Sequence, residues 1–305
     1  MLSGSEMTET IAPHLSDAAR AALDLPDAHR IALIDRDLWI GYSRARDAHA
    51  WLQRILRSER RQRPDNLLIV GASNNGKTAI ARRFLARAAV PENPDAERSN
   101  IETALIQAPN GPNIPELLRS VLAALGREPG LRPTTARLRA EVHGAMRDVG
   151  LRLLLIDDLH NIRGSGVGAM LVELREIGSI TGVSIGAFAT KEIAHIFRLD
   201  EQLANRFALL TLPRWQFDEL EYAQLLATFE RQLPLRQSSN LTDPDLARRI
   251  LSMAGGLIGG LATILRQAAT AAIETGQERI DRSVLDGLII ASPEQIEAVG
   301  TAPDL

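Results

Sequence analysis

Eight consecutive residues, Gly71-Ala72-Ser73-Asn74-Asn75-Gly76-Lys77-Thr78, fit the spacing G-x-x-x-x-G-K-[ST]. Glycines at that spacing let backbone N–H groups turn inward around a triphosphate with no Cβ in the way. A lysine placed there reaches the β- and γ-phosphates, and the next hydroxyl, that of Thr78, coordinates Mg²⁺. A second acidic element follows about 80 residues on in "LLLIDD". Asp157 is placed to bind the metal, and Asp158 to polarise an attacking water, since proton transfer needs a carboxylate within hydrogen-bond reach of the nucleophile. A further apolar run ends at "FAT", where the side chain of Thr190 could sense a γ-phosphate.

These residues need a scaffold, and the flanking pattern supplies one. "NLLIV" precedes the glycine-rich loop as a strand and "GKTAIARRFLARAA" follows it as a helix, which is the context the motif requires. The helix N-terminus adds partial positive charge at the same spot. Beyond it, "TALIQAP", "LRLLLIDD", "VSIGAFAT" and "FALLTLP" read as strands separated by helical segments. Nearly continuous apolar strands alternating with helices predict an α/β fold, a parallel sheet covered by helices on both faces. After Pro213 only helical periodicity remains, so a small all-helical domain is expected over 214–292, followed by a tail at 293–305. Residues 1–35 read as an N-terminal arm with one short helix in "LSDAARAALDL", and 36–213 as the nucleotide-binding domain. Ser43 is the expected cap of a helix carrying Ala48, Trp51, Leu52, Ile55 and Leu56 on one face.

Composition narrows the function. The 305 residues contain no cysteine, which removes disulfides, thiolate zinc sites and cysteine nucleophiles together. The six histidines show no metal-ligand spacing. With a formal charge of −3, any nucleic-acid contact has to come from a local patch. No apolar run approaches 18 residues and "MLSGSEMTET" lacks a signal-peptide pattern, so a cytoplasmic protein without a membrane partner is expected.

The order of phosphate loop, acidic strand, polar strand end, the Arg206-Phe207 pair and a helical lid resembles the AAA+ P-loop NTPases. "DRDLWIGYSRARDAHAWLQRIL", "NLLIVGASNNGKT", "LLLIDDLHNI" and "AGGLIGGLATILRQAATAAI" are similar to TniB, the transposon-encoded ATPase family, and its TnsC relatives. That resemblance implies an ATPase using ATP and Mg²⁺, assembled on double-stranded DNA as a ring or helical filament, which regulates DNA transposition by recruiting a transposase with a TniQ-type targeting protein. It also implies that Arg206 acts on a neighbouring subunit's nucleotide and that Trp39 and Tyr42 lie near the adenine. Ordinary core packing is an equal reading of these two aromatics. An alternative of another kind is an AAA+ ATPase like IstB or the helicase loaders, which remodels a protein on DNA.

Two departures from the family pattern stand out. Asp158 replaces the usual glutamate and reaches about one methylene less far, so slow hydrolysis is expected. Gly260 stands where the lid commonly carries a second-sensor arginine. The resemblance places DNA contacts in two loops. "APNGPNI" offers Asn110, Gly111 and Asn113, and "GREPGLRPTTARLR" offers Arg127, Arg132, Thr134, Thr135, Arg137 and Arg139. Thr134 or Thr135 is equally a helix cap. The run of arginines from Arg54 to Arg63 is an alternative phosphate-contacting patch or a solvated helix face.

Overall fold

A computed structural model of the chain describes residues 12–36, 39–61, 63–89, 100–130, 133–162, 164, 166–199 and 201–288. Its elements are, in order, α1 (Asp17–Ala22), α2 (Asp27–Ile34), α3 (Ser43–Arg57), β1 (Asn66–Gly71), α4 (Lys77–Ala88), β2 (Thr103–Gln107), α5 (Ile114–Ala124), α6 (Thr135–Asp148) and β3 (Leu153–Asp157). They continue with α7 (Val167–Thr181), β4 (Ser184–Ala189), α8 (Lys191–Leu199), α9 (Glu201–Ala204), β5 (Phe207–Leu212), α10 (Leu220–Glu230), α11 (Pro244–Ala254), α12 (Ile258–Glu274) and α13 (Arg282–Asp286).

The five apolar runs become a five-stranded parallel sheet in the order β2-β3-β4-β1-β5. Position in that order explains their composition. All residues of β1, β3 and β4 are buried, whereas β5, at an edge, alternates between buried and accessible positions. Successive side chains serve opposite faces. Leu68, Val70, Leu154, Ile156, Ile185 and Ala187 join one core with α5, α6 and α7. On the other face α3 meets β1 and β4, and a Cβ at Gly186 would come within 2.8 Å of Leu155 and 3.0 Å of Leu52. Glycine is therefore required there for helix α3 to approach the sheet. Ser43 is the first residue of α3 rather than its cap. Among the described residues no single helix is long and apolar enough to cross a membrane.

The chain divides into two compact units. Ser43–Pro213 forms the α/β unit, and the described residues up to Tyr42 join those from Arg214 onward in a helical unit. The division differs from the expected arm of 1–35 and boundary at 36, because α1 and α2 have partners in the C-terminal helices. Helix α2 packs on α12, and the amide of Ser16 donates to the carbonyl of Arg231 at 2.8 Å. The tail at 293–305 lies outside the described residues.

A buried charge fixes this union. Arg30 is wholly buried and donates to the carbonyl of Pro234 at 2.6 Å and to Glu278 at 2.7 Å. Burial pushes the Glu278 carboxyl up, but the Arg30 guanidinium and the Arg236 amide donate to it and hold it below the usual carboxylate range. Arg236 also donates to the carbonyl of Leu23 at 3.0 Å, tying the end of α1 to the same point. Removing one partner of a buried pair strands the other charge at a cost of about 3–5 kcal/mol, while an apolar double replacement is often neutral. Arg30→Met is accordingly expected to expose the amides of α1 and α2 to hydrogen exchange, and Arg30→Met/Glu278→Leu to restore much of their protection. Unchanged exchange in the single variant would show that the helices are anchored without this pair.

Candidate nucleotide site

The phosphate loop lies between β1 and α4, at the C-terminal edge of a parallel sheet, where open α/β sheets take their ligands. Asn74 (φ 58°) and Gly76 (φ 79°) adopt left-handed backbone, which asparagine and glycine tolerate best. The two asparagines have different tasks. Asn74 turns the loop, whereas Asn75 is buried and its side-chain amide donates to the carbonyl of Leu212 at 2.7 Å. That bond pins the loop to the end of β5, so the Asn75 side chain is structural and only its backbone can serve a ligand. Gly71 is required for the same closeness, since a Cβ there would lie 3.1 Å from that of Leu212. Ser73 is exposed and Ala72 partly so.

Lys77 is buried, and its ammonium donates to the carbonyls of Gly71 and Ala72 at 3.0 and 2.7 Å. Burial pulls its pKa down, while Asp157, Asp158 and Glu192 push it back up. A lysine among three carboxylates marks a site of concentrated charge. Asp157 is buried at the end of β3, and burial raises its pKa against the opposing effect of a hydrogen bond with Thr78. The Thr78–Asp157 pair is thus formed in the fold, and its hard oxygen donors suit Mg²⁺, which usually takes one or two carboxylates with substrate phosphates and waters. Among the described residues no group of three or more His, Cys, Asp or Glu side chains forms a metal cage.

Asp158 also has left-handed backbone (φ 52°), and its amide donates to Oδ1 of Asp157 at 2.9 Å. Its side chain accepts a hydrogen bond from Gln107 Nε2 at 3.2 Å and lies 3.9 Å from His160 Nδ1. Gln107 escaped the sequence reading, although a polar residue ending the strand beside "LLLIDD" was a usable signal. Its register partner is Asp157, so the parallel ladder delivers it to the acids. Thr190 follows β4, and its hydroxyl donates to Glu192, which lowers the pKa of that carboxyl. Glu192, in the first turn of α8, is a second residue that the sequence did not single out.

The remaining candidates belong to other parts of the chain. Arg206 precedes β5 at the far end of the strand from Gly71, with Asn66 paired to Phe207 and Gly71 to Leu212. Trp39 and Tyr42 belong to the helical unit, where Tyr42 is buried and packs edge-on against Trp215 at 5.7 Å. Gly260 has no room for a side chain, because a Cβ would meet the Ala254 carbonyl oxygen at 2.7 Å. The close passage of α12 beneath the end of α11 therefore excludes an arginine at that place.

Asn110 and Thr135 line one depression together with Gly111–Pro115, so the fold brings the two candidate DNA loops together. Thr134 caps α6, its hydroxyl oxygen accepting from the Arg137 amide at 3.3 Å, and Asn113 caps α5. Arg132 lies outside the described residues. The nearby arginines are paired: Arg139 is bidentate to buried Glu173 (2.8 and 2.7 Å), and Arg137 meets Glu141 at 2.8 Å. The Arg54–Arg63 run is split as well. Arg54 stacks over Trp51, and Arg60 donates to the carbonyls of Gly150 and Leu151.

Solved structures similar to this chain carry the same architecture. The Aeropyrum pernix ORC1 protein in complex with DNA matches with TM-score 0.56 and 18% identity over 90% of this chain and 72% of that one. Drosophila ORC bound to DNA matches with 0.58 and 16% over 99% and 74%, and Cdc6p from Pyrobaculum aerophilum with 0.57 and 15% over 89% and 74%. A search of curated proteins gives no sequence match. Parallel sheet, phosphate loop, acidic strand end and helical unit together define an AAA+ P-loop ATPase fold. The family model "Bacterial TniB protein" matches residues 30–217, more than half of the sequence. The chain belongs to the TniB family.

Proposed function

We propose that this protein is an ATP-dependent, DNA-binding regulator of transposition. In this reading it assembles on double-stranded target DNA as a ring or helical filament and, with a TniQ-type targeting protein, recruits or activates a transposase in the cytoplasm. The observation that carries the proposal is the preformed contact of Thr78 with Asp157 beside a buried Lys77, in a chain of the TniB family. Residues 71–78 hold the ATP phosphates through backbone amides and Lys77. Thr78 and Asp157 hold Mg²⁺, which supplies charge neutralisation at the β- and γ-phosphates when bound.

Asp158 orients the attacking water and Thr190 senses the γ-phosphate, with Gln107 and Glu192 fixing their side chains. A short carboxylate held by Gln107 supports slow hydrolysis. Arg206 serves a neighbour's nucleotide, and Asn110, Arg132, Thr134 and Thr135 contact duplex DNA. One nearly neutral monomer binds weakly, but phosphate contacts repeated over many subunits add up and become strongly salt-dependent. Trp39 and Tyr42 lie near the adenine, Tyr42 being also held in place by Trp215.

The test is binding of the wild-type protein to a labelled random-sequence duplex with ATP, with ADP and without nucleotide, imaged by electron microscopy. Tight binding with rings or filaments only in ATP is the expected result. Binding indifferent to nucleotide would move the protein to the loader-like class, and no binding at all to a class acting on proteins alone.

A further inference from the structure

Strand β5 forms the edge of the sheet opposite β2 and is paired to β1 alone. An edge strand turns one row of backbone amides and carbonyls away from its neighbour, open to pairing with another chain. Among the described residues, Ala208, Leu209, Leu210 and Thr211 make no hydrogen bond beyond the pairing with β1. Natural edges are commonly blunted by lysine, proline or an inward-pointing charge. The six residues of β5, Phe-Ala-Leu-Leu-Thr-Leu, include none of these.

A hollow of about 560 Å³ lies on this strand. Its floor includes Leu209, 38% exposed, and Thr211, two positions that share one face of β5. Helix α8 packs on β1 and β4 and leaves both side chains uncovered. The helix lines the hollow with Lys191, His195 and Arg198, spaced i, i+4 and i+7 and therefore in one row. Among the described residues Lys191 and Arg198 form no salt bridge. Glu192 also lines the hollow, but its carboxylate accepts the hydrogen bond of Thr190.

An unpaired edge, an apolar floor and a basic wall together select one kind of occupant. Backbone added to β5 satisfies the edge, and its side chains alternate between the two faces of the sheet. Those on the side of the hollow pass Leu209 and Thr211 and then meet the cations of α8, so carboxylates suit them. Those on the other side meet Ala208 and Leu210, which are half-buried and favour β-branched neighbours. A nucleic acid fits less well, since it has no peptide groups to continue the ladder and its phosphates gain nothing from Leu209.

We propose that β5 and α8 form a docking site for an extended acidic segment of a partner protein, which adds a strand to the open edge and sets its carboxylates against Lys191 and Arg198. Such a site is separate from the nucleotide and duplex contacts and does not depend on them.

The test uses the full chain and a labelled peptide of four Val-Glu repeats, with Val-Lys repeats and an N-methylated Val-Glu peptide as controls. Fluorescence anisotropy is expected to show saturable binding of the Val-Glu peptide, weakening as salt rises. Methylation removes the donors to the edge and should cost at least about tenfold in affinity, the scale of a few net hydrogen bonds. Lys191→Glu/Arg198→Glu should also cost at least about tenfold, because two attractions become two repulsions. The charge-keeping Lys191→Arg/Arg198→Lys should bind nearly as wild type, and wild-type ATP affinity in each variant reports an intact fold.

Absence of Val-Glu binding, equal binding of either control peptide, or full affinity in the charge-reversed variant overturns the proposal. Tighter peptide binding by a chain lacking 293–305 would give the edge to the chain's own tail. Loss of self-assembly in the charge-reversed variant would give it to a second copy. Either result removes the partner protein from the site.

Discussion

Lys77→Ala is expected to abolish ATP-dependent assembly on DNA. The ammonium is buried and tied to the carbonyls of Gly71 and Ala72, within the influence of Asp157, Asp158 and Glu192. Alanine removes the one cation at the loop and leaves three acids to repel an incoming triphosphate. Charged hydrogen bonds contribute about 1.5–3 kcal/mol each. Losing contacts to two phosphates and gaining that repulsion should reduce ATP affinity by at least about a hundredfold. Assembly that requires ATP would then vanish at ordinary nucleotide concentrations. The check is titration with a fluorescent ATP analogue, followed by the duplex-binding assay, with circular dichroism to confirm that the loop change leaves the fold intact. Assembly at the wild-type ATP concentration would remove residues 71–78 from the assembly switch.

The sheet was legible because each strand is a short apolar run bounded by turn residues, and the nucleotide loop because its motif sits between a strand and a helix. Strand order, in contrast, depends on pairings such as Gln107 with Asp157, which join residues 50 apart in sequence and leave no local periodicity. For that reason Gln107 and Glu192 were missed although the acids beside them were found. Likewise, Asn75 spelled part of the motif, but its bond to the Leu212 carbonyl depends on where β5 ends. The division of the chain into units was hidden for an energetic reason. Helices α1 and α2 are short and weakly amphipathic in isolation, and what holds them is Arg30 meeting Glu278 and Pro234, more than 200 residues away. A lone arginine in an arm reads as solvated until its partners are in view.

Arg206→Ala is expected to spare nucleotide binding and to lower ATP turnover by roughly 10³ to 10⁵, the contribution of arginines supplied to a phosphoryl-transfer site from a neighbour. The backbone at this position is held independently of the side chain. Asn66 is buried, donates to the Arg206 carbonyl at 3.1 Å and accepts from the Ile185 amide at 2.8 Å, so the link before β5 stays fixed when the guanidinium is removed. The nucleotide loop, at the other end of β1, keeps its geometry for the same reason. Loss of turnover with wild-type ATP affinity would therefore report a missing charge at a neighbour's phosphate, not a disturbed site in the same chain. Turnover per subunit should also rise with protein concentration in wild type, as sites become completed by neighbours, and stay flat in the variant. A variant with normal turnover and the same concentration dependence would assign Arg206 to surface structure. It would also locate the transition-state charge compensation within a single subunit, on Lys77 and on whatever metal Thr78 and Asp157 would hold.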